Sequence, residues 1–162
     1  FCAAIQNNDM VAAYANDNWS EPNLQPERKD INLALEDVTV STFVKNLQTN
    51  ITTETLDFDI QVLNGDSSQL GKKDFKQNVN IIFYDGDNAE HKMIEFFNNM
   101  LDFTENVFTL VVDDANIEQN VAITKGWVEK QNLRILYERE LLNEQEDPKM
   151  WWNGLYVLVL TK

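Results

Sequence analysis

Carboxylates follow two apolar segments of the sequence. The turn-forming run Tyr-Asp-Gly-Asp-Asn at residues 84–88 comes after one segment, and the pair Asp113-Asp114 comes after another. If these segments were neighbouring parallel strands, their carboxyl ends would share one edge of a sheet, where α/β enzymes bind magnesium and phosphate groups. The pattern gives one hypothesis, a metal-dependent enzyme that uses Asp85, Asp87 and Asp113.

Local structural roles explain the same residues more economically. Asp87, with Glu90 three positions later, is typical of a capping box at the start of a helix. Asp85-Gly86 is typical of a turn. The sequence also lacks a glycine-rich phosphate loop with its lysine. We therefore predict no catalytic residue, no metal ligand and no cofactor.

The composition excludes several classes of site. The 162 residues include 27 Asp and Glu against 13 Lys and Arg, a formal net charge of −14. Because binding to phosphates needs clustered basic residues, this charge disfavours nucleic acid and anionic membranes as partners. Cys2 and His91 are the only cysteine and the only histidine, which excludes an intramolecular disulfide and a site of two histidines.

The sequence shows neither a signal peptide nor an apolar run of the roughly 18 residues that a membrane span needs. The length and the 43% of hydrophobic residues fit one domain with a real core. We therefore expect a single domain over residues 1–162, with an extended arm or loop at 16–30 where prolines and polar residues concentrate.

Hydrophobic periodicity predicts the secondary structure. In the first half, it indicates a helix over residues 1–14, a strand or irregular β arm at 31–43, and a strand over 55–63. In the second half, it indicates strands at 79–84, 107–112 and 155–161, a helix at 87–103 and a weaker strand at 121–123. Residues 133–142 fit either a strand or a helix, and a strand is preferred.

This order predicts an α+β fold with a mainly antiparallel sheet, covered on one face by one or two helices. The strands at 55–63 and 79–84 would form an antiparallel pair. The main alternative is a mostly parallel sheet, in which strand 79–84, the following helix and strand 107–112 form one βαβ unit.

Aromatic residues offer candidates for a subunit interface. Trp151 and Trp152 follow Met150, and Trp127 follows a glycine. Such residues are often part of a core, but tryptophans beside a charged segment also anchor interfaces. Met150, Trp127, Trp151 and Trp152 are therefore the predicted interface residues.

The second half of the chain resembles the tail-terminator or tail-completion proteins of long-tailed bacteriophages. The resemblance covers residues 75–162 and lies in the order of elements, including the strand at 78–84 and the Trp-Asn-Gly that introduces the closing strand at 152–160. It implies a ring-forming virion component that is assembled in the host cytoplasm and has no enzymatic activity. Its implied partners are further copies of the chain and neighbouring virion proteins.

The leading functional prediction is thus a non-enzymatic tail or neck component of a bacteriophage, which forms a ring through its subunit interfaces. The alternative is an acidic protein-binding module, such as an immunity protein that neutralises a basic toxin. The metal-dependent enzyme is the third hypothesis.

Overall fold

The computed structural model describes residues 10–17, 57–142 and 154–162, together with the single residue Lys45. The chain divides into two compact units, Phe1–Ser67 and Ser68–Lys162. The prediction of a single domain stays a prediction. Most of the predicted arm at 16–30, and the predicted β segment at 31–43, lie outside the described residues.

The described part of the first unit is a pair of parallel strands. β1 (Met10–Asp17) lies beside β2 (Asp57–Asn64), with Met10 opposite Asp57 and Asp17 opposite Asn64. The predicted helix at 1–14 is therefore wrong over its last five residues, while the strand predicted at 55–63 is confirmed. The alanines of this segment favour a helix locally, but pairing with a partner strand overrides weak propensities.

The second unit contains a four-stranded mixed sheet with two helices packed on one of its faces. Its strands are β3 (Val79–Tyr84), β4 (Thr104–Asp113), β5 (Arg134–Leu141) and β6 (Leu155–Thr161), in the order β3-β4-β6-β5. β3 runs parallel to β4, and β6 runs antiparallel to both β4 and β5. The combination of helices and sheet is confirmed, but the prediction of a mainly antiparallel sheet is wrong. This sheet is mixed, and two of the four strand pairs in the described residues of both units are parallel.

The parallel pair follows from the connection between its strands. α1 (Glu90–Leu101) lies between β3 and β4 in the chain and returns the chain to the end of the sheet where β3 began, as a βαβ crossover does. The alternative of a βαβ unit over residues 79–112 is thus confirmed. The predicted antiparallel pairing of 55–63 with 79–84 is wrong, since the described partner of β2 is β1.

The core lies between one face of this sheet and the two helices. Alternate residues of β3, β4 and β6 point to that face, and α1 contributes a stripe of large apolar side chains. The buried apolar residues are Ile82, Tyr84, Met93, Phe96, Phe97, Met100, Phe108, Leu110, Val112, Ala115, Val121, Trp127, Val128, Tyr156, Leu158 and Leu160. β6 is paired on both sides, with β4 and β5.

The second helix was not expected. α2 (Glu118–Lys130) replaces the weak strand predicted at 121–123. Its buried residues include Asn120, Thr124, Trp127 and Val128, which have helical spacing. Two of these are polar, so the apolar stripe that identifies an amphipathic helix is weak here. No helix in the described part of the chain is long and apolar enough to span a membrane.

A cluster of charged groups joins α2 to the sheet. Lys125 Nζ lies 2.9 Å from Glu138 Oε1 and 3.2 Å from Glu140 Oε1. The hydroxyl of buried Tyr156 donates to Glu138 Oε1 at 2.8 Å. The hydrogen bond from Lys125, and then that from Tyr156, lower the pKa of Glu138. Burial, followed by the neighbouring Glu138 carboxylate, raises the pKa of Tyr156.

Two glycine substitutions should change stability in opposite directions. Gly154 has φ +70°, and a Cβ there would lie 2.5 Å from Asn116 Oδ1, so we expect Gly154→Ala to lower the free energy of unfolding by about 1–3 kcal/mol. Gly126 lies inside α2 with open space around it, so Gly126→Ala should raise the free energy of unfolding by about 0.5–1 kcal/mol. Urea denaturation of both variants checks this, and equal effects would contradict it.

The Lys125 cluster should make stability depend on pH. Because the pKa of Glu138 is lower in the folded chain than in the unfolded chain, its contribution is complete above the ordinary glutamate pKa and is lost as the pH falls through the lowered value. We expect Lys125→Met to cost about 0.5–1 kcal/mol near neutral pH, since the pair is partly exposed. The difference from the wild type should vanish on acidification. Unfolding curves from pH 7 to pH 3 measure it, and a constant difference would contradict the assignment.

Candidate functional site

The carboxyl ends of β3 and β4 bring two polar turns to one edge of the sheet. Tyr84 pairs with Val112 in the parallel register, so Asp85 and Asp113 follow neighbouring positions. The two apolar segments are thus neighbouring parallel strands, and the carboxylates that follow them lie at one edge of the sheet, as the sequence hypothesis required. Among the described residues, however, no group of three or more Asp, Glu, His or Cys side chains is arranged to hold a metal ion.

The buried side chain of Tyr84 supports the turn after β3 from the core side. The ring of Tyr84 is buried and packs against Phe96 and Phe97, with centroid distances of 4.8 Å and 5.3 Å. Its hydroxyl donates to the backbone oxygen of Asp87 at 2.7 Å. A Cβ on Gly86 would lie 2.8 Å from this ring, so only glycine lets the turn close over the tyrosine without displacement. The turn is thus held in one conformation.

Asp87 does not cap the helix as predicted. α1 begins at Glu90, and its N-cap residue is Ala89, which makes no side-chain capping hydrogen bond. The carboxylate of Asp87 instead accepts a hydrogen bond from the backbone N–H of Ala89 at 2.9 Å. This is an Asx-type turn, which places the exposed Asp87 just before the helix.

The turn after β4 is joined to the turn after β3 by three polar side chains. Asn88 Nδ2 donates to Asp114 Oδ2 at 2.7 Å. Asn120, in the first turn of α2, donates from Nδ2 to Asn88 Oδ1 at 2.9 Å and to the backbone oxygen of Asp114 at 3.3 Å. Asn120 is 1% exposed, whereas Asn88 and Asp114 are half-buried, so the contacts run from the interior to the partly exposed edge of the sheet. We call these three side chains the Asn–Asp link.

The backbone of the second turn is in an uncommon conformation. Asp114 has φ +58°. This lies in the left-handed region of backbone conformation, which residues other than glycine rarely adopt and which costs free energy. The neighbouring Ala115 donates its N–H to the backbone oxygen of Gly154 at 3.2 Å. The turn is therefore fixed on one side by the Asn–Asp link and on the other by the start of β6.

Of the residues predicted to form a subunit interface, only Trp127 lies among the described residues. Trp127 is 2% exposed, packs on Phe97 with a centroid distance of 5.1 Å, and donates from its indole to Asn98 Oδ1 at 3.0 Å. It is a core residue of the second unit. Met150, Trp151 and Trp152 lie outside the described residues, and their interface role stays a prediction.

The sequence interpretation missed Asn88 and Asn120. Both are amides without a local motif, and they are 32 residues apart in the chain. The only available signal was the position of Asn88 at the end of the turn that carries Asp85 and Asp87. His91, the only histidine of the sequence, is exposed on α1.

Comparison with known proteins gives a fold but no family. No family model and no curated protein matches the chain. The solved structure of the O-methyltransferase NovP is 11% identical with a TM-score of 0.58, and the match covers 92% of this chain and 60% of that one. The chain thus spans about 60% of the length of NovP.

Two further solved structures are similar. Precorrin-6y C5,15-methyltransferase from Geobacter metallireducens has a TM-score of 0.53 and 10% identity, over 99% of this chain and 84% of that one. Precorrin 8w decarboxylase from Methanobacterium thermoautotrophicum has a TM-score of 0.51 and 16% identity, over 96% and 82%.

These likenesses correct the functional predictions. The neighbours are enzymes by name, mostly methyltransferases, and no phage tail protein is among them. The resemblance to tail-terminator proteins and the non-enzymatic role are therefore wrong, and the virion location is not supported. The same finding displaces the immunity-protein alternative. The resemblance failed because it relied on element order and assumed an antiparallel sheet. At these identities, the chain shares the α/β fold of these enzymes.

Proposed function

We propose that this chain is a methyltransferase, or part of one, that uses S-adenosylmethionine as methyl donor. The observation that carries the proposal is the fold shared with NovP and with precorrin-6y C5,15-methyltransferase at TM-scores of 0.58 and 0.53. In open α/β sheets, ligands bind outside the carboxyl ends of the strands. In the second unit, that is the edge formed by the turns after β3 and β4.

The charge of this edge fits such a methyl donor. S-adenosylmethionine carries a positive sulfonium and an ammonium group, and Asp85 and Asp87 are exposed carboxylates on the turn after β3. Opposite charges in a partly desolvated site attract each other strongly. The five glycines of the sequence stand singly, so the chain offers charge and hydrogen-bond acceptors here rather than a glycine-rich turn. When bound, the donor supplies an electrophilic methyl group on its sulfonium.

The chain's own contribution is a rigid acidic edge. The buried hydroxyl of Tyr84 and the close approach of Gly86 hold the first turn, so Asp85 and Asp87 need no large rearrangement to meet a cation. Preorganised charges of this kind stabilise a ligand or transition state without a reorganisation cost. Asp87 would hold the positive charge of the donor, while Asp114 faces the same edge from the second turn.

The test compares two ligands that differ in charge. S-adenosylhomocysteine lacks the sulfonium charge that S-adenosylmethionine carries. We expect calorimetry to show micromolar binding of both to the chain. In Asp87→Asn, which keeps an oxygen for the Ala89 N–H, the affinity for S-adenosylmethionine should fall about two- to fivefold more than that for S-adenosylhomocysteine, as the loss of one partly exposed charge pair predicts.

The matched control is Asp102→Asn. Asp102 is an exposed carboxylate at the C-cap of α1, just before β4 begins and thus at the opposite edge of the sheet. It should leave the ratio of the two affinities unchanged. Absence of binding of either ligand at millimolar concentration would refute the proposal, and an equal effect of both variants would refute the role of Asp87.

A further inference from the structure

Two asparagines in the Asn–Asp link have orientations that the carboxylate of Asp114 dictates. A carboxylate accepts hydrogen bonds, so the group of Asn88 that lies 2.7 Å from Asp114 Oδ2 must be its amide nitrogen. The carbonyl oxygen of Asn88 then faces Asn120, which must present its own nitrogen at 2.9 Å. The direction of the whole link is therefore fixed from Asp114 outward.

This direction leaves one buried acceptor unused. Asn120 Oδ1 is buried and has no hydrogen-bond partner among the described residues. An unpaired buried oxygen costs free energy, and an apolar residue at this position would avoid the cost. The left-handed backbone of Asp114 is a second local cost at the same turn. Such costs persist where the surroundings over-determine a conformation, and they concentrate at functional sites.

The link commits one oxygen of Asp114 and leaves the other available. Oδ2 accepts from Asn88, and no described residue donates to Oδ1. Asp114 is half-buried, so part of this residue is exposed to solvent. With Oδ2 held, the orientation of Oδ1 is set as well.

We propose that Asn88 and Asn120 are positioning residues that aim the free oxygen of Asp114 at the methyl acceptor. This inference rests on the proposed function, and it deepens it by naming the acceptor class. The free oxygen can only accept a hydrogen bond, so the acceptor carries an O–H or N–H at the atom that receives the methyl group. That atom would bond to the methyl carbon as the carbon–sulfur bond of the donor breaks, and the electrons of that bond would leave with S-adenosylhomocysteine. The acceptor's proton would pass to the free oxygen of Asp114. The link holds Asp114 in the orientation that this hydrogen bond needs.

The Asn88 variants remove a donated hydrogen bond, whereas the control variant at Asn98 keeps an accepted one. Asn88→Asp keeps the shape of the side chain but removes the N–H donors and places a second carboxylate against Asp114. Asn98→Asp, in the helix that follows Asn88, is the matched control, because Asn98 Oδ1 accepts from Trp127 and Gln131 at 3.0 Å each and an aspartate accepts equally well. Asn88→Ala removes the donors without adding charge to the half-buried position.

The experiment has two arms. Calorimetry with S-adenosylhomocysteine measures cosubstrate binding, and transfer of labelled methyl groups to a panel of small phenols, catechols and primary amines measures kcat and KM. We expect all three variants to bind S-adenosylhomocysteine within about twofold of the wild type. Asn88→Asp and Asn88→Ala should lower kcat by about 10- to 100-fold, as misplacement of a reacting group does, and Asn98→Asp should leave kcat unchanged.

Three results would overturn the inference. Wild-type kcat in both Asn88 variants would remove the positioning role, and an equal loss in Asn98→Asp would show a general structural effect. Transfer to none of the O–H and N–H acceptors would remove the assigned acceptor class. If the wild type does not bind S-adenosylhomocysteine at all, the proposed function itself fails, so the two failures are distinguishable.

Discussion

The parallel pairing of β3 with β4 is the constraint on which the candidate site depends. α1 carries the chain back along the sheet, so both strands end at the same edge. In an antiparallel pair, Asp85 and Asp113 would lie at opposite ends of the sheet. The register that sets Tyr84 opposite Val112 then brings the two polar turns together. The antiparallel β6 completes the pairing of β4 on its other side.

Each turn at this edge is fixed by a different physical device. The first is closed over the buried ring of Tyr84, which needs a glycine at position 86. The second is tied to the first by the Asn–Asp link and to β6 through the backbone of Gly154. Functional side chains are often carried by loops on a rigid scaffold. Here the loops share that rigidity, because partly buried hydrogen bonds connect them with each other and with α2.

The sequence predicted strands well where the pattern was strong and failed where partners decided the outcome. β3 and β6 match the predicted residues closely, since both are short apolar runs rich in β-branched and aromatic residues. α2 was missed because two of its buried residues, Asn120 and Thr124, are polar. Alternation within a strand gives no information about the direction of its neighbour, so the parallel pair appeared only as an alternative.

In the candidate site too, the sequence revealed the residues that form a local pattern and missed those that depend on contacts between distant parts of the chain. Asp85, Asp87 and Asp113 were visible from sequence because acidic residues after apolar segments form a local pattern. Asn88 and Asn120 gain their meaning only from contacts across 26 and 32 residues. The incorrect resemblance to phage tail proteins had a related origin, since it used the order of elements and not the direction of the strands.

The most direct test of the account is a crystal structure of the chain with S-adenosylhomocysteine. The account predicts that the ligand lies at the carboxyl edge of β3 and β4, in contact with the turn at residues 85–87 and with little movement of that turn. A ligand bound away from this edge, or a crystal that stays free of ligand at saturating concentration, would contradict the account.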